Sequence, residues 1–385
     1  MGYEVIGKNL RRLRIDKGLT QKQLAENAGL SRVGYRNIET GKSAPKIETI
    51  HALADALQIP MQELVARANE VQQVRFRSSG RLRSRDQILA QVGMKLADVK
   101  ELEEALDDVQ RFKISGIADR AVKSGENQAI AAAKAVRKAF GLRKNEPIRD
   151  ICGLLESNGV KVFSICRASD GFFGLSVGPD DGGPAIVVNT WGRISVERWI
   201  FSAAHELGHL VLHLHAFDVL ESSEDRQQEK EADIFASHFL MPDEVFRREW
   251  SDTHGLPFVD RVLKTKRMFR ISYKTVLYRL AAEVPDVNVW RLFQSAYLRR
   301  FGRTLGRTDE PLGLDASDYY AGAPASRTAD EPIGLAEADF LTDRLWSLVR
   351  RGIEGGHISL SKGAKILGVS LEDLRETTRG WVESL

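Results

Sequence analysis

Only two cysteines, Cys152 and Cys166, occur in the 385 residues, in unrelated contexts and without a CxxC spacing. Neither a disulfide framework nor a thiolate metal site is expected, and both read as core thiols. No apolar run approaches the roughly 18 to 20 residues needed to cross a bilayer, and the opening MGYEVIGKNLRRLR lacks the apolar centre of a secretory signal. A cytoplasmic address with no membrane partner is the expectation. Bias of charge is missing too: 56 Lys and Arg against 53 Asp and Glu leave +3, which is unremarkable for the whole chain. What is present, 43% apolar and 28% charged residues, is the profile of a folded globular protein. The length is too great for one ordinary core, so two or three domains are expected.

The positive charge is unevenly placed. VRFRSSGRLRSR holds Arg75, Arg77, Arg81, Arg83 and Arg85, whereas DVKELEEALDDVQ just downstream is acidic. Such a run reads first as a solvated surface, with nucleic-acid contact the lesser reading.

Residues 6–68 read as short helices separated by stop signals. IGKNLRRLRIDKG sets Leu10 and Leu13 one turn apart and stops at Gly18. TQKQLAENAG starts at a Thr cap and ends at Gly29, and SRVGYRNIETG starts at a Ser cap and ends at Gly41. Two helices of about eight residues joined by a short Gly-containing turn form a helix-turn-helix. PKIETIHALADALQIP follows with Ile47, Ile50, Leu53, Ala54 and Leu57 on one face, and a fifth short helix from Met61 to Ala68 closes a bundle.

Through RRLRIDKGLTQKQLAENAGLSRVGYRNIETGKSAPKIETIHALADAL this segment resembles the XRE (Cro and C1-type repressor) helix-turn-helix family. The resemblance implies a double-stranded DNA partner, with the third helix in the major groove. Carried over by position, Gln21 would touch the DNA backbone, and Ser31, Arg32, Tyr35 and Arg36 would face the groove. Such modules usually bind as dimers, which adds a homodimer to the expected partners. A bundle kept for protein contact alone is the blander reading.

Residues 69–145 are less distinctive. VRFR reads as a short strand, DQILAQVGMKLADVKELEEALDDVQRF has helical periodicity, and ENQAIAAAKAVRKAFGL is an Ala-rich helix ending near Gly141. Then the pattern changes to β. Val160–Ile165, Phe172–Val177 and Ala185–Asn189 are apolar runs split by Gly, Asp and Pro clusters, and they lead into FSAAHELGHLVLHLH.

In HELGH, His205 and His209 stand at i and i+4, so a helix projects both from one face, where both reach one ion with bonds of about 2.0 to 2.1 Å. Glu206 lies about 100° around the helix, near such an ion without ligating it, and is suited to take a proton from a water there. The flanks are apolar almost all round, and two imidazoles and a carboxylate in so apolar a helix need a partner to offset their desolvation. Zinc, one ion, with manganese as the alternative, needs a third protein ligand. His215 falls at the third position of HExxHxxGxxH, but Leu212 stands where glycine must turn the chain; the helix is expected to continue and carry His215 away. QEKEADIFASHFLMP supplies Glu229, with Glu231 the less favoured candidate. Asp233, one turn beyond Glu229, is placed to hydrogen-bond a ligand histidine, and His213 reads as packing or supporting rather than ligating. His51, His238, His254 and His357 have no ligand spacing and read as surface or structural residues. Asn189, Arg198 and Tyr273 are weighed as approaching a substrate strand, a structural role being at least as good a reading.

RWIFSAAHELGHLVLH followed by EKEADIFASHFLMP resembles the ImmA/IrrE family of zinc metallopeptidases, over roughly residues 130–285. The shared features are Arg198 and Phe201 ahead of HELGH, the E-x-x-A-x-x-F-A run from Glu229 to Ala236, and Met241-Pro242. FRISYKTVLYRLAAE, with Ser272, Leu277, Arg279 and Leu280, fits as the helix that follows. The resemblance implies His205, His209 and Glu229 as zinc ligands, Glu206 as general base, and cleavage of a repressor protein at few sites.

The C-terminal region contains RTDEPLGL at 307–314 and RTADEPIGL at 327–335, similar enough to suggest two equivalent strand or turn elements. SLSKGAKILGVSLEDLRE is again helix-turn-helix-like, with Gly368 at the turn and Ser370 as cap, but its second helix is as acidic as basic and reads as an interaction module. The expected architecture is α+β and multidomain. An all-α five-helix bundle occupies 1–70, a basic and helical connector 71–130, a zincin-like α+β metallopeptidase domain with a small sheet 131–300, and a linker with a small helical domain 301–385. The expected function is a DNA-binding regulator with a zinc-dependent endopeptidase domain acting on a repressor-type protein in a stress or mobile-element response. The alternative is a transcription factor or antitoxin whose zincin-like domain senses or binds a partner without proteolysis.

Overall fold

Short helices with firm stops build the first 65 residues. In the computed structural model, which describes residues 3–59, 61–65, 74–78, 85–114, 116–117, 127–144, 146–169, 171–217, 225–315, 318 and 331–382, these are α1 (Tyr3–Asp16), α2 (Gln21–Asn27), α3 (Arg32–Glu39), α4 (Ile47–Leu57) and α5 (Met61–Val65). Gly18, Gly29 and Gly41 take φ of +66°, +67° and +70° between them, the left-handed conformation that ends a helix at little cost only for glycine. Thr20 and Gln23 form a reciprocal capping box on α2, and the Ser31 hydroxyl accepts from Gly34 N at the start of α3. Leu10, Leu24, Tyr35, Leu53, Leu57 and Leu64 fill the core. The fifth helix ends at Val65, and residues 66–68 lie outside the described residues.

The chain divides into two compact units, residues 1–70 with 83–94, and residues 71–82 with 95–385. The second unit is built on a four-stranded sheet: the three expected runs and the VRFR stretch, which is a strand as read from the sequence. β1 (Val74–Ser78), from the stretch expected to be a connector, pairs antiparallel with β3 (Phe172–Val177) at its edge. β3 runs antiparallel to β4 (Ala185–Asn189), and β2 (Lys161–Ile165) lies parallel to β4, giving the order β1-β3-β4-β2. Between these elements come α6 (Arg85–Ala105), which contributes to both units, α7 (Gln128–Ala139) and α8 (Ile151–Glu156).

α9 (Val196–Leu212) follows β4 and packs on the sheet; α10 (Arg226–Leu240) crosses it and also packs on α7. A Cβ on Gly208 would sit 3.1 Å from the Phe235 ring and 3.3 Å from Ala232 Cα, so the glycine of HELGH is where the two helices approach. The α9–α10 pair thus brings the two sequence motifs to one place.

α11 (Asp243–Asp252), α12 (Phe258–Phe269), α13 (Tyr273–Glu283) and α14 (Val289–Phe301) complete the core, and Phe293 stacks on Tyr273 at 5.1 Å. The related segments near 312 and 333 lie side by side, Gly313 N donating to Ile333 O, but neither forms a strand. Arg267 joins them by donating to the carbonyls of Leu314 and Glu331. Residues 327–330 lie outside the described residues. α15 (Asp343–Glu354), α16 (Leu360–Leu367) and α17 (Leu371–Val382) have the expected turn, with Gly368 at φ +72°. They belong to the same compact unit as the sheet, for Arg344 pairs with Glu103 at 2.9 Å and Gly352 packs on Leu102, both on α6. Among the described residues no helix is long and apolar enough to cross a membrane.

Candidate metal centre

α9 is buried from Trp199 to Leu210, and His205, Glu206 and His209 are all 0% exposed. Burial of unpaired imidazole and carboxylate groups is costly, and the surroundings show how it is offset. His205 Nε2 and His209 Nε2 are 3.0 Å apart, and each is 3.2 Å from an oxygen of Glu229 on the first turn of α10. His205, His209 and Glu229 offer ligand atoms within 4.8 Å of one another.

The hydrogen bonds on the far side of each ring set what those atoms present. His205 Nδ1 is 2.8 Å from Asp233 Oδ1, which must accept, so Nδ1 carries the proton and Nε2 a lone pair. His213 Nε2 donates to Glu231 at 2.9 Å, which leaves His213 Nδ1 to accept from His209 Nδ1 at 3.0 Å. His209 Nε2 therefore also carries a lone pair. Burial holds the His209 imidazole well below its ordinary value, with neighbouring His205 and Arg75 acting in the same sense, so the ring is neutral. Two lone pairs and a carboxylate converge at about 3 Å. They repel unless a cation stands among them, and two nitrogens with one carboxylate oxygen suit zinc. The donor set fits the metal.

Glu206 lies beside this cluster on the sheet side. The Ser176 hydroxyl donates to its Oε2 at 2.9 Å, and a Cβ on Gly174 would stand 3.1 Å from its Oε1 and 2.9 Å from Val187 O. Gly174 and Ser176 alternate on one face of β3, so one residue leaves room for the carboxylate and the other orients it. The sequence reading missed both; the period-two spacing was the available signal. It also missed Arg75. Expected in a solvated basic run, Arg75 is nearly buried, its Nη2 3.2 Å from Glu229 Oε1 and its Nη1 donating to Gln228. Its β-pair partner is Ser176, which puts it on the face of the sheet toward the cluster. Arg81 and Arg83 lie outside the described residues.

Glu229 rather than Glu231 meets the two Nε2 atoms, while Glu231 meets His213. His215 is exposed, as expected, but for another reason: α9 does not continue past Leu212, ending at His213 with φ −126° before a 3-10 turn over Leu214–Ala216. His51, His254 and His357 are exposed, and His238 pairs with Asp243 at 2.9 Å. Arg279 donates to the Met241 and Ser237 carbonyls, so the Met-Pro turn closing α10 is fixed from α13. Asn189 bonds Arg167 and Phe172 main chain, and Tyr273 is core; neither approaches the cluster.

In the N-terminal unit Ser31, Arg32 and Arg36 are exposed on α3, and Gln21 is half-buried with its Nε2 donating to Glu39 at 2.9 Å. Tyr35 is a correction. It is 0% exposed, because its place on α3 turns it inward beside Leu24 and Leu53, and it cannot face a groove.

The helix-turn-helix family matches residues 10–64, and a family described as the IrrE N-terminal-like domain matches residues 168–281. The uncharacterized HTH-type transcriptional regulator y4dJ of Sinorhizobium fredii is 36% identical over 67 residues, 17% of this chain and 87% of that relative. The chain belongs to the XRE-type helix-turn-helix family and carries an IrrE-like domain. The HTH-type transcriptional repressor RghR of Bacillus subtilis is 43% identical over 72 residues, 18% of this chain and 53% of the relative. The cryptic phage CTXphi repressor RstR of Vibrio cholerae is 32% identical over 62 residues, 16% and 56%. The chain thus spans about half the length of RghR and RstR. The likeness rests on the helix-turn-helix unit, whereas the metal-ligand geometry lies in the IrrE-like domain.

Proposed function

We propose that this chain is a DNA-binding regulator whose IrrE-like domain is a zinc peptidase acting on a repressor-type protein. The observation that carries the proposal is the convergence of the His205 and His209 lone pairs on Glu229, with Glu206 held beside them by Ser176. Zinc bound there would polarise a peptide carbonyl and make water acidic enough to lose its proton near neutral pH. Glu206 takes that proton and returns it to the leaving amine. Asp233 holds the His205 ring in its ligating tautomer, and the His213–Glu231 pair does the same for His209. On the DNA side, Ser31, Arg32 and Arg36 meet the major groove and Gln21 the backbone, as a homodimer on a two-fold site.

One observation favours the second reading, a metal fold that senses or binds a partner without cutting it. β1 already pairs along the outer edge of β3, and Arg75 rests on Glu229. Both readings are tested together. Zinc content is measured in the purified chain, and candidate repressors are co-expressed with the wild type and with Glu206→Gln. Cleavage that depends on Glu206 supports the peptidase. Bound zinc with sequence-specific DNA binding and no such cleavage supports the sensor, and a zinc-free preparation from chelator-free buffers sinks both.

A further inference from the structure

The N-terminal ends of α9 and α13 meet at a cavity of about 350 Å3 that none of the motifs above accounts for. Its volume is within the range of small-molecule sites, about 300 to 1,000 Å3. Four of its side chains are cationic: Arg193 from the loop before α9, Arg198 from the first turn of α9, Lys274 from the start of α13, and Arg307. One lining residue, Glu310, is acidic, and its carboxylate is already committed. It lies 3.0 Å from Lys266 and accepts from Ser272 Oγ at 2.6 Å and from Tyr273 N at 3.0 Å. Arg198 and Lys274 are held in place, and Arg193 and Arg307 reach the cavity from exposed positions. The Arg198 guanidinium lies 4.7 Å over the Phe173 ring and 5.4 Å from that of Phe201, and Lys274 Nζ donates to the Arg307 carbonyl. Burial first, and then Arg198 and Arg307 against the opposing pull of Glu310, push the Lys274 ammonium below its ordinary value. Like charges gathered in a concave, partly desolvated site repel one another, and the arrangement is relieved when an anion enters. Ser195 adds to this. It caps α9, its hydroxyl makes no capping bond, and it lines the cavity, so the positive end of a 17-residue helix faces the same space.

We propose that this cavity is an anion site that seats a phosphate or carboxylate group. Arg198, Phe201 and His205 lie on one face of α9, and the Phe201 ring stands 6.4 Å from that of His205, so the site is next to the metal centre. The anion has two sources, a free small molecule or an acidic side chain of a bound peptide. Seven residues of helix rise about 10 Å, which an extended peptide covers in about three residues. The site does not depend on peptide cleavage.

Calorimetric titration of the full zinc-loaded chain tests it, with inorganic phosphate in one arm and in the other a hexapeptide bearing one glutamate beside its glutamine analogue. The expected result is saturable binding of at least one probe, weakened tenfold or more by Arg198→Ala and by Lys274→Ala and kept by Lys274→Arg. Arg36→Ala leaves it unchanged, which separates it from binding at the helix-turn-helix unit, and because the readout is binding and not cleavage its failure is distinct from that of the peptidase reading. Phosphate binding assigns a free anion, and preference for the glutamate peptide alone assigns an acidic peptide side chain. Binding of neither probe, or binding indifferent to Arg198 and Lys274, overturns the site. Should Arg198→Ala fail to fold, the exposed Arg307→Ala carries the same comparison.

Discussion

In the helix-turn-helix unit the candidate contact residues Arg32 and Arg36 stand outside a core filled by Tyr35, whereas in the IrrE-like domain His205, Glu206 and His209 are themselves core. The first unit is a scaffold that displays charge; the second encloses it and must satisfy it. That difference sets what a substitution does. On the display surface, function and stability separate, since an exposed arginine carries little packing. In the enclosed cluster they cannot, because each polar atom removed leaves another unpaired in low dielectric.

The comparison is strained most by removing a ligand. His209→Ala or Glu229→Ala is expected to lower zinc affinity a hundredfold or more, read by metal content after dialysis against a mild chelator, with Asp233→Ala costing about 10- to 100-fold. Undiminished zinc in Glu229→Ala would break the ligand set. Next, Tyr35→Ala is expected to cost about 3 to 5 kcal/mol, enough to unfold so small a bundle, while Arg36→Ala stays within about 0.5 kcal/mol and weakens operator binding. Thermal melts and salt-dependent DNA binding check the pair; a stable Tyr35→Ala would return that residue to the surface.

The two units should also differ in pH response. Glu39 is buried, which alone raises a carboxyl, but the guanidinium of Arg14 at 2.9 Å holds it below its ordinary value of 4.5. Its contribution is present above pH 4.5 and is lost as pH falls. Glu156 is pushed up to about 7 by burial, with the Arg344 backbone N–H only partly opposing. Its contribution is full below its ordinary value of 4.5 and is lost as pH rises through 7, up to about 3 kcal/mol. Amide protection at Leu53, corrected for intrinsic exchange, should fall as pH drops below 4.5 and stay level above it, whereas protection at Ile186 should fall between pH 4.5 and 7, and Glu156→Gln should flatten the second. Gly208→Ala is expected to cost about 1 to 3 kcal/mol by forcing α9 off Phe235, seen as a lowered melting temperature.

Much of both units was legible along the chain. The stops at Gly18, Gly29 and Gly41 follow from local chemistry, and His205 and His209 meet because i and i+4 share a helical face. Tyr35 was misplaced because the face that α3 buries depends on what packs against it. The end of α9 at Leu212 was missed because a helix with no glycine or proline at its stop is ended by tertiary surroundings. Arg75 was missed because its run looks solvated until β1 pairs with β3 and aims it at Glu229.

The sequence by itself determined the helix-turn-helix unit, the pair of histidines and Glu206, since each depends on spacing within one helix or on caps a few residues apart. Only the tertiary structure decided between Glu229 and Glu231, set the tautomers through Asp233 and His213, and drew Ser176, Gly174 and Arg75 to the cluster. Those choices depend on how α9, α10 and the sheet edge approach one another, and that approach is fixed by packing between segments far apart in the chain.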